Sequence, residues 1–283
     1  MQELLYSPEF YAQFEDNASR TYLDGLLHQR WNKNDQISVF TNTVNQKYQF
    51  DGENGDNKGS FSVVKGQNSG SNKPLTIDAN VAVYPYNYET SISPDGTVSL
   101  MLPWEQIYSE KSFGLGVNPM LAVTNGQGDT DLNFRNLCGF LRLRLYGKNT
   151  TIRRVTLYGH NEEKIHGRAY VSAKYGEIPT ITMTEESYNG TSIYSENGVK
   201  LGSTKENATD FWFVVPPTIF ENGFYFWIED TDGFGMSKSL WKNFSIERNV
   251  VKTMAPIEVE TCGVDISQDT YYIERKGGYI DID

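Results

Sequence analysis

Period-two alternation in short runs most restricts how this chain can fold. In "GFLRLRLYG", Leu141, Leu143 and Leu145 alternate with Arg142, Arg144 and Tyr146. Only a strand with one dry and one wet face sorts residues in that order onto opposite sides. "EFYAQFE" does the same, with Phe10, Ala12 and Phe14 set against Glu9, Tyr11, Gln13 and Glu15. "TVSLMLP" and "RVTLYG" repeat the pattern, and "DQISVF", "NVAVYPY" and "RAYVSA" are shorter versions. Between the runs stand clusters such as "FDGENGDNKGS", "SPDG", "TNGQGDTD" and "SENG", whose Gly, Asn, Asp and Pro supply turns. Short strands spaced in this way predict an all-β fold of sandwiches or barrels. One helical turn before Pro8 and a short helix in "PWEQIYSEKS" are the only helical elements expected.

The stretch "FWFVVPPTIFENGFYFWIEDTDG", residues 211–233, belongs to the same pattern. Pro216 and Pro217 remove two backbone donors and fix φ, which rules out a continuous helix. The aromatic runs on either side therefore read as adjoining strands, bent at the proline pair. A chain of 283 residues can bury two ordinary cores. The Gly- and Asn-rich passage 113–131 divides them, giving one β-sandwich at 1–125 and a second at 126–260. Residues 261–283 follow as a strand-forming tail.

Charge narrows the partners. Lys and Arg number 25 against 36 Asp and Glu, a formal charge of −11. Such a surface repels phosphate backbones, so nucleic acid is not an expected partner. No apolar run approaches the roughly 18 residues that span a bilayer as a helix. The opening "MQELLYSPEFYAQF" lacks the basic and apolar regions of an export signal. Cys138 and Cys262 are the only cysteines, too few for a disulfide scaffold. Two free thiols are expected, with a single bridge between them as the alternative.

No catalytic pattern is written in the sequence. There is no G-x-S-x-G elbow, phosphate loop or dinucleotide glycine fingerprint. His160 and His166 flank Glu162 and Glu163 at a spacing that matches no zinc motif, so they read as solvated loop residues. Glu229, Asp230 and Asp232 could supply a glycosidase pair, and "DTDGFG" oxygen ligands for calcium, but Asp and Gly there also compose an ordinary hairpin turn, and the EF-hand pattern is missing. The expectation is a protein with no cofactor, no metal and no enzymatic activity. Aromatics beside acidic turns can also form sugar-stacking platforms. Trp104 in "LPWEQ" and Trp241 in "SLWKN" are the candidates, because they lie outside strand periodicity.

An ordered series of phrases carries a family resemblance: "FEDNASRTYLDGLLHQRWNKNDQISVF", "VAVYPYN", "VSLMLPWEQ", "NPMLAVTN", "LNFRNLCGFLRLRLYG", "IRRVTLYG", "IHGRAYVS", "FWFVVPPTIFENGFYFWIEDTDG" and "IERNVVKTMAPIEVE". Over roughly residues 9 to 260, the series resembles the fimbrillin-like proteins of Bacteroidales, which comprise type V pilins, Mfa-like pilus subunits and accessory adhesins. The resemblance implies two tandem transthyretin-like β-sandwiches. It also implies export as a lipoprotein, anchored by a cysteine upstream of this chain, and display on the outer membrane as part of a fimbrium.

In that family a trypsin-like protease cuts after an Arg and frees the first strand, and a strand from another subunit fills the groove. Carried onto this sequence, Phe10, Ala12 and Phe14 are the teeth of the removable strand. Arg20 and Arg30 are the candidate cleavage sites, with Arg20 preferred in the polar loop "DNASR". The donor is the tail, with Tyr279, Ile280 and Ile282 as insertion residues. The expected partners are other pilus subunits, joined by strand exchange, and a host or bacterial surface glycan or protein. The plainer reading leaves Arg20 as a surface residue and the first strand in place. The alternative function is a glycan-binding surface lipoprotein.

Overall fold

The structure is a computed structural model that describes residues 8–15, 30–69 and 75–260. No helix occurs among the described residues, and the fold is all-β. The chain divides into two compact units that interleave along the sequence. Unit one takes the described residues up to Leu102 together with Asn118–Cys138 and Arg168–Glu185. Unit two takes Pro103–Val117, Gly139–Gly167 and the described residues from Glu186 onward. Position 125, where the sequence reading divides the chain, lies inside the Asn118–Cys138 segment of unit one.

In unit one the early strands are β1 (Phe10–Phe14), β2 (Gln36–Phe40), β3 (Asn45–Phe50), β4 (Lys58–Ser69) and β5 (Val81–Tyr84). With Met120–Val123 and Asp131–Asn136 they close into a barrel. Its order is β1, Asp131–Asn136, Met120–Val123, β5, β2, β3, β4 and back to β1. Closure removes the sheet's free edges, so every strand has a neighbour on both sides. The interior is filled by Phe10, Ala12, Ile37, Val39, Tyr48, Phe61, Leu132 and Phe134, with Trp31 at the hub. The Trp31 ring stacks on Phe14 at 4.5 Å and meets Phe61, Phe134, Tyr84 and Phe50 at 5.0 to 5.9 Å between centroids.

Unit two is a sandwich. One sheet pairs Gly139–Tyr146 with Thr209–Val215 on one side, and with Val251–Thr253 and Ile257–Glu258 on the other. The second sheet has the order Gly235–Leu240, Phe224–Asp230, Thr151–Gly159, Thr191–Lys200, Glu105–Ile107. Leu141, Leu143 and Leu145 of the first sheet share one core with Val155, Leu157, Phe224, Phe226 and Ile228 of the second. The leucines that alternate with arginine in the sequence are therefore the dry face.

Two expectations need correction here. The aromatic runs around Pro216-Pro217 are not adjoining strands: Thr209–Val215 lies in one sheet and Phe224–Asp230 in the other. Phe213 meets Phe226 at 5.8 Å across the core, so the prolines mark where the chain passes between layers. The helix expected after Pro103 is also absent. Glu105–Ile107 is a strand, parallel to Thr191–Lys200 and pairing Gln106 with Ile193. The apolar spacing there was too short to separate a helical turn from an edge strand.

Candidate functional site

β1 is the strand that completes the barrel. It runs parallel to Asp131–Asn136, with Tyr11 opposite Asp131 and Phe14 opposite Phe134. It runs antiparallel to β4, with Phe10 opposite Phe61 and Gln13 opposite Lys58. Among the barrel's pairings this is the one parallel junction. The Tyr11 N–H donates to the Thr130 carbonyl at 3.0 Å, and the Glu15 N–H to the Phe134 carbonyl at 2.7 Å.

Side chains follow the alternation read from the sequence. Phe10 and Ala12 are 0% exposed and Phe14 is half-buried, while Tyr11 and Gln13 face outward. Phe10 meets the edge of Tyr48 at 5.4 Å. Ala12 lies opposite Gly59 of β4, where an added Cβ would stand 2.7 Å from the Phe50 ring. The slot is therefore wide at positions 10 and 14 and narrow at 12. Burying one Phe side chain in such a slot is worth about 1.5–3 kcal/mol.

Arg30 is exposed, but the residue after it is pinned. Trp31 is buried, its N–H donates to the Asp56 carbonyl at 2.7 Å, and its carbonyl accepts from the Gly55 N–H at 2.9 Å. Hydrolysis of the Arg30–Trp31 bond thus requires Trp31 to leave the barrel core. Arg20 lies outside the described residues, as do Tyr279, Ile280 and Ile282 of the tail and Cys262.

Trp104 and Trp241 both belong to unit two and are 36% and 56% exposed. Each stacks with a different histidine. Trp241 lies flat on His160, with centroids 3.6 Å apart and 7° between planes, and Trp104 meets His166 at 5.0 Å. Both histidines are therefore half-buried in ring stacks, not solvated loop residues. Burial lowers the pKa of each, so both imidazoles are predominantly neutral at pH 7. His166 Nδ1 lies 2.6 Å from the Gly190 carbonyl oxygen, which fixes the ring's orientation. Tyr158, Tyr225 and Tyr188 join these stacks and were missed from the sequence. They sit on separate strands, and only the sheet register brings them together.

The acidic residues of "WIEDTDG" serve the turn. Asp230 accepts the N–H groups of Asp232 and Phe234 at 2.9 and 2.8 Å, closing the hairpin. No group of three His, Cys, Asp or Glu placed to hold a metal occurs among the described residues. A cavity of about 130 Å³ in unit one is lined by Leu121, Asn133, Arg135 and Tyr175 among others, and its single carboxylate is Glu177. Cys138 is a free, buried thiol.

No family model matches the chain, and no curated protein matches it. Among solved structures, the chain is similar to a "putative cell adhesion protein" from Bacteroides ovatus ATCC 8483. The identity is 14%, covering 88% of this chain and 91% of that one, with a TM-score of 0.48. A protein of the same description from Bacteroides uniformis ATCC 8492 shares 14% identity, covering 89% and 93%, with a TM-score of 0.46. The tip fimbrial protein Mfa3 from Porphyromonas gingivalis shares 9% identity, covering 88% and 96%, with a TM-score of 0.32. These three solved structures thus carry the names of cell adhesion and fimbrial proteins.

Proposed function

We propose that this chain is a subunit of a cell-surface fimbrium, or an adhesin carried on one, that joins its neighbours by strand addition and performs no catalysis. The observation that carries this reading is the position of β1. It is a short strand of alternating apolar residues that completes a barrel between a parallel and an antiparallel neighbour. Withdrawing it would leave two rows of unpaired N–H and C=O groups over an uncovered apolar slot. A second strand of the same alternation would restore both the ladder and the packing.

In this reading the tail 261–283 of one subunit enters the slot of the next. Taken up as a strand, the tail would set Ile280 and Ile282 on one face, as Phe10 and Ala12 are in β1, with Asp281 and Asp283 on the wet side. Cleavage after Arg20 would free β1 while the Trp31 backbone keeps its bonds to Asp56 and Gly55, whereas cleavage after Arg30 requires Trp31 to leave the core. The subunit works at the outer membrane surface as a lipoprotein, and its partners are other subunits.

The test is limited digestion with trypsin, followed by mass spectrometry and unheated SDS gels. One early cut between Glu15 and Trp31, followed by SDS-resistant ladders, is the expected result. A chain that is cut there yet stays monomeric contradicts the strand-addition reading.

A further inference from the structure

Seven aromatic rings of unit two form a continuous surface ribbon. From one end the contacts run Tyr188 to His166 at 5.4 Å, His166 to Trp104 at 5.0 Å and Trp104 to Tyr158 at 6.0 Å. They continue Tyr158 to Tyr225 at 5.2 Å, Tyr225 to His160 at 5.5 Å and His160 to Trp241 at 3.6 Å. Tyr158 and Tyr225 are directly paired across their strands. Trp104 immediately precedes the outer strand Glu105–Ile107, and Trp241 immediately follows the opposite outer strand Gly235–Leu240. The ribbon thus crosses the whole five-stranded sheet, about 19 Å between outer strands at 4.7–4.9 Å per strand.

The rings are held in place before any ligand arrives. An added Cβ at Gly190, whose φ is +90°, would stand 2.6 Å from the Tyr158 ring and 2.9 Å from Trp104, so only glycine lets both rings lie against the backbone. The Asn189 side-chain amide closes two bonds on Gly159, one at 2.9 Å and one at 3.0 Å, beside Tyr158. Tyr188, Trp241 and Trp104 are 65%, 56% and 36% exposed, so these three rings are open to water.

We propose that this ribbon binds a neutral oligosaccharide chain lying across the strand ends of unit two. The negative faces of aromatic rings attract the weakly positive C–H groups of a pyranose ring, and Tyr188, Trp104 and Trp241 are the exposed rings that offer them, the stacked neighbours holding them in place. Burial shifts both imidazoles toward the neutral form and the Tyr225 phenol further from ionisation. The chain's overall negative charge favours a neutral ligand over an acidic one. A protein partner needs roughly 800 Å² and 20–30 residues a side, whereas this strip is one ring wide and seven side chains long. Glu163 and Asn161, joined by a 3.0 Å bond, and Asn222, bonded to Asn161 at 2.7 Å, border it with polar groups for sugar hydroxyls.

The test is a titration of the full chain with six neutral hexasaccharides: maltohexaose, cellohexaose, laminarihexaose, xylohexaose, mannohexaose and N-acetylchitohexaose. Tryptophan fluorescence and calorimetry give the readout. At least one sugar is expected to bind with Kd below 1 mM and to shift the indole emission. Trp104→Ala and Trp241→Ala should each weaken that binding at least tenfold without lowering Tm by more than a few degrees. Gly190→Ala should weaken it as well, by displacing two rings while deleting none. The proposal is overturned if no sugar binds at 10 mM. It is equally overturned if binding survives the double Trp substitution, or if sedimentation shows Trp241-dependent self-association with no sugar binding.

Discussion

The side-chain amide of Gln106 closes two hydrogen bonds on the main chain of Val214, accepting from its N–H at 3.0 Å and donating to its carbonyl at 2.8 Å. Gln106 also pairs through its own backbone with the strand Thr191–Lys200. One buried residue therefore ties the two sheets of the unit two sandwich and occupies the outer edge of the strand Thr209–Val215. Gln106→Leu would leave the Val214 N–H and carbonyl buried without partners. At about 1–3 kcal/mol for each of these two groups, a loss of about 2–6 kcal/mol is expected in chemical denaturation. A change under 0.5 kcal/mol would show that the edge finds other partners.

Trp31 contacts five aromatic rings of the unit one barrel. Trp31→Ala should cost about 3–5 kcal/mol, the range for a buried Trp deleted from a packed core. Trp31→Phe should cost less and leave the barrel folded. The same substitutions should loosen β1, because Phe14 stacks on this indole. Hydrogen exchange at Tyr11 and Glu15, both bonded to the neighbouring strand, measures that directly.

Acid should act through the ribbon histidines. Burial is the largest effect on both His160 and His166 and lowers their pKa values in the folded state below the ordinary 6.5. Protonation is then tighter in the unfolded chain. The stability linked to these groups is complete above the unfolded value and is lost as pH falls through the folded values. Thermal melts between pH 8 and 4.5 should show Tm declining on the acid side of 6.5, and His160→Gln should flatten part of that decline. An unchanged profile in that variant would remove His160 from the account.

The buried Cys138 thiol should be inert. Burial raises its pKa far above the ordinary range, and it is the thiolate that reacts. In a Cys262→Ser variant, a thiol reagent at pH 8 should label nothing until denaturant is added. Rapid native labelling would place Cys138 at an accessible surface.

Strand identity was legible wherever one face of a strand is dry. The alternation of Phe10, Ala12 and Phe14 and that of Leu141, Leu143 and Leu145 need only the pleat, and the pleat is local. The partner of each strand was not legible. Nothing in "EFYAQFE" says that β1 closes a barrel through a parallel junction, because its neighbour Asp131–Asn136 lies more than a hundred residues away. Pro216-Pro217 marked a bend in the sequence without telling whether the bend stays within a sheet or crosses between two. The ribbon shows the same limit. Trp104 and Trp241 stood out because they break strand periodicity, whereas Tyr158 and Tyr225 sit inside strands and join them only through register.

The central claim is that β1 is an exchangeable strand. It is tested most directly in a chain carrying a specific protease site between Glu15 and Arg30. After cleavage, the chain is incubated with a fluorescent peptide spanning residues 7–16 and followed by anisotropy. Slow uptake of the peptide into a long-lived complex is predicted, with loss of the original fragment. No uptake is predicted by the uncut chain, or for the peptide carrying Ala12→Lys. A cut chain that ignores the peptide, or an uncut chain that takes it up equally well, would contradict the account.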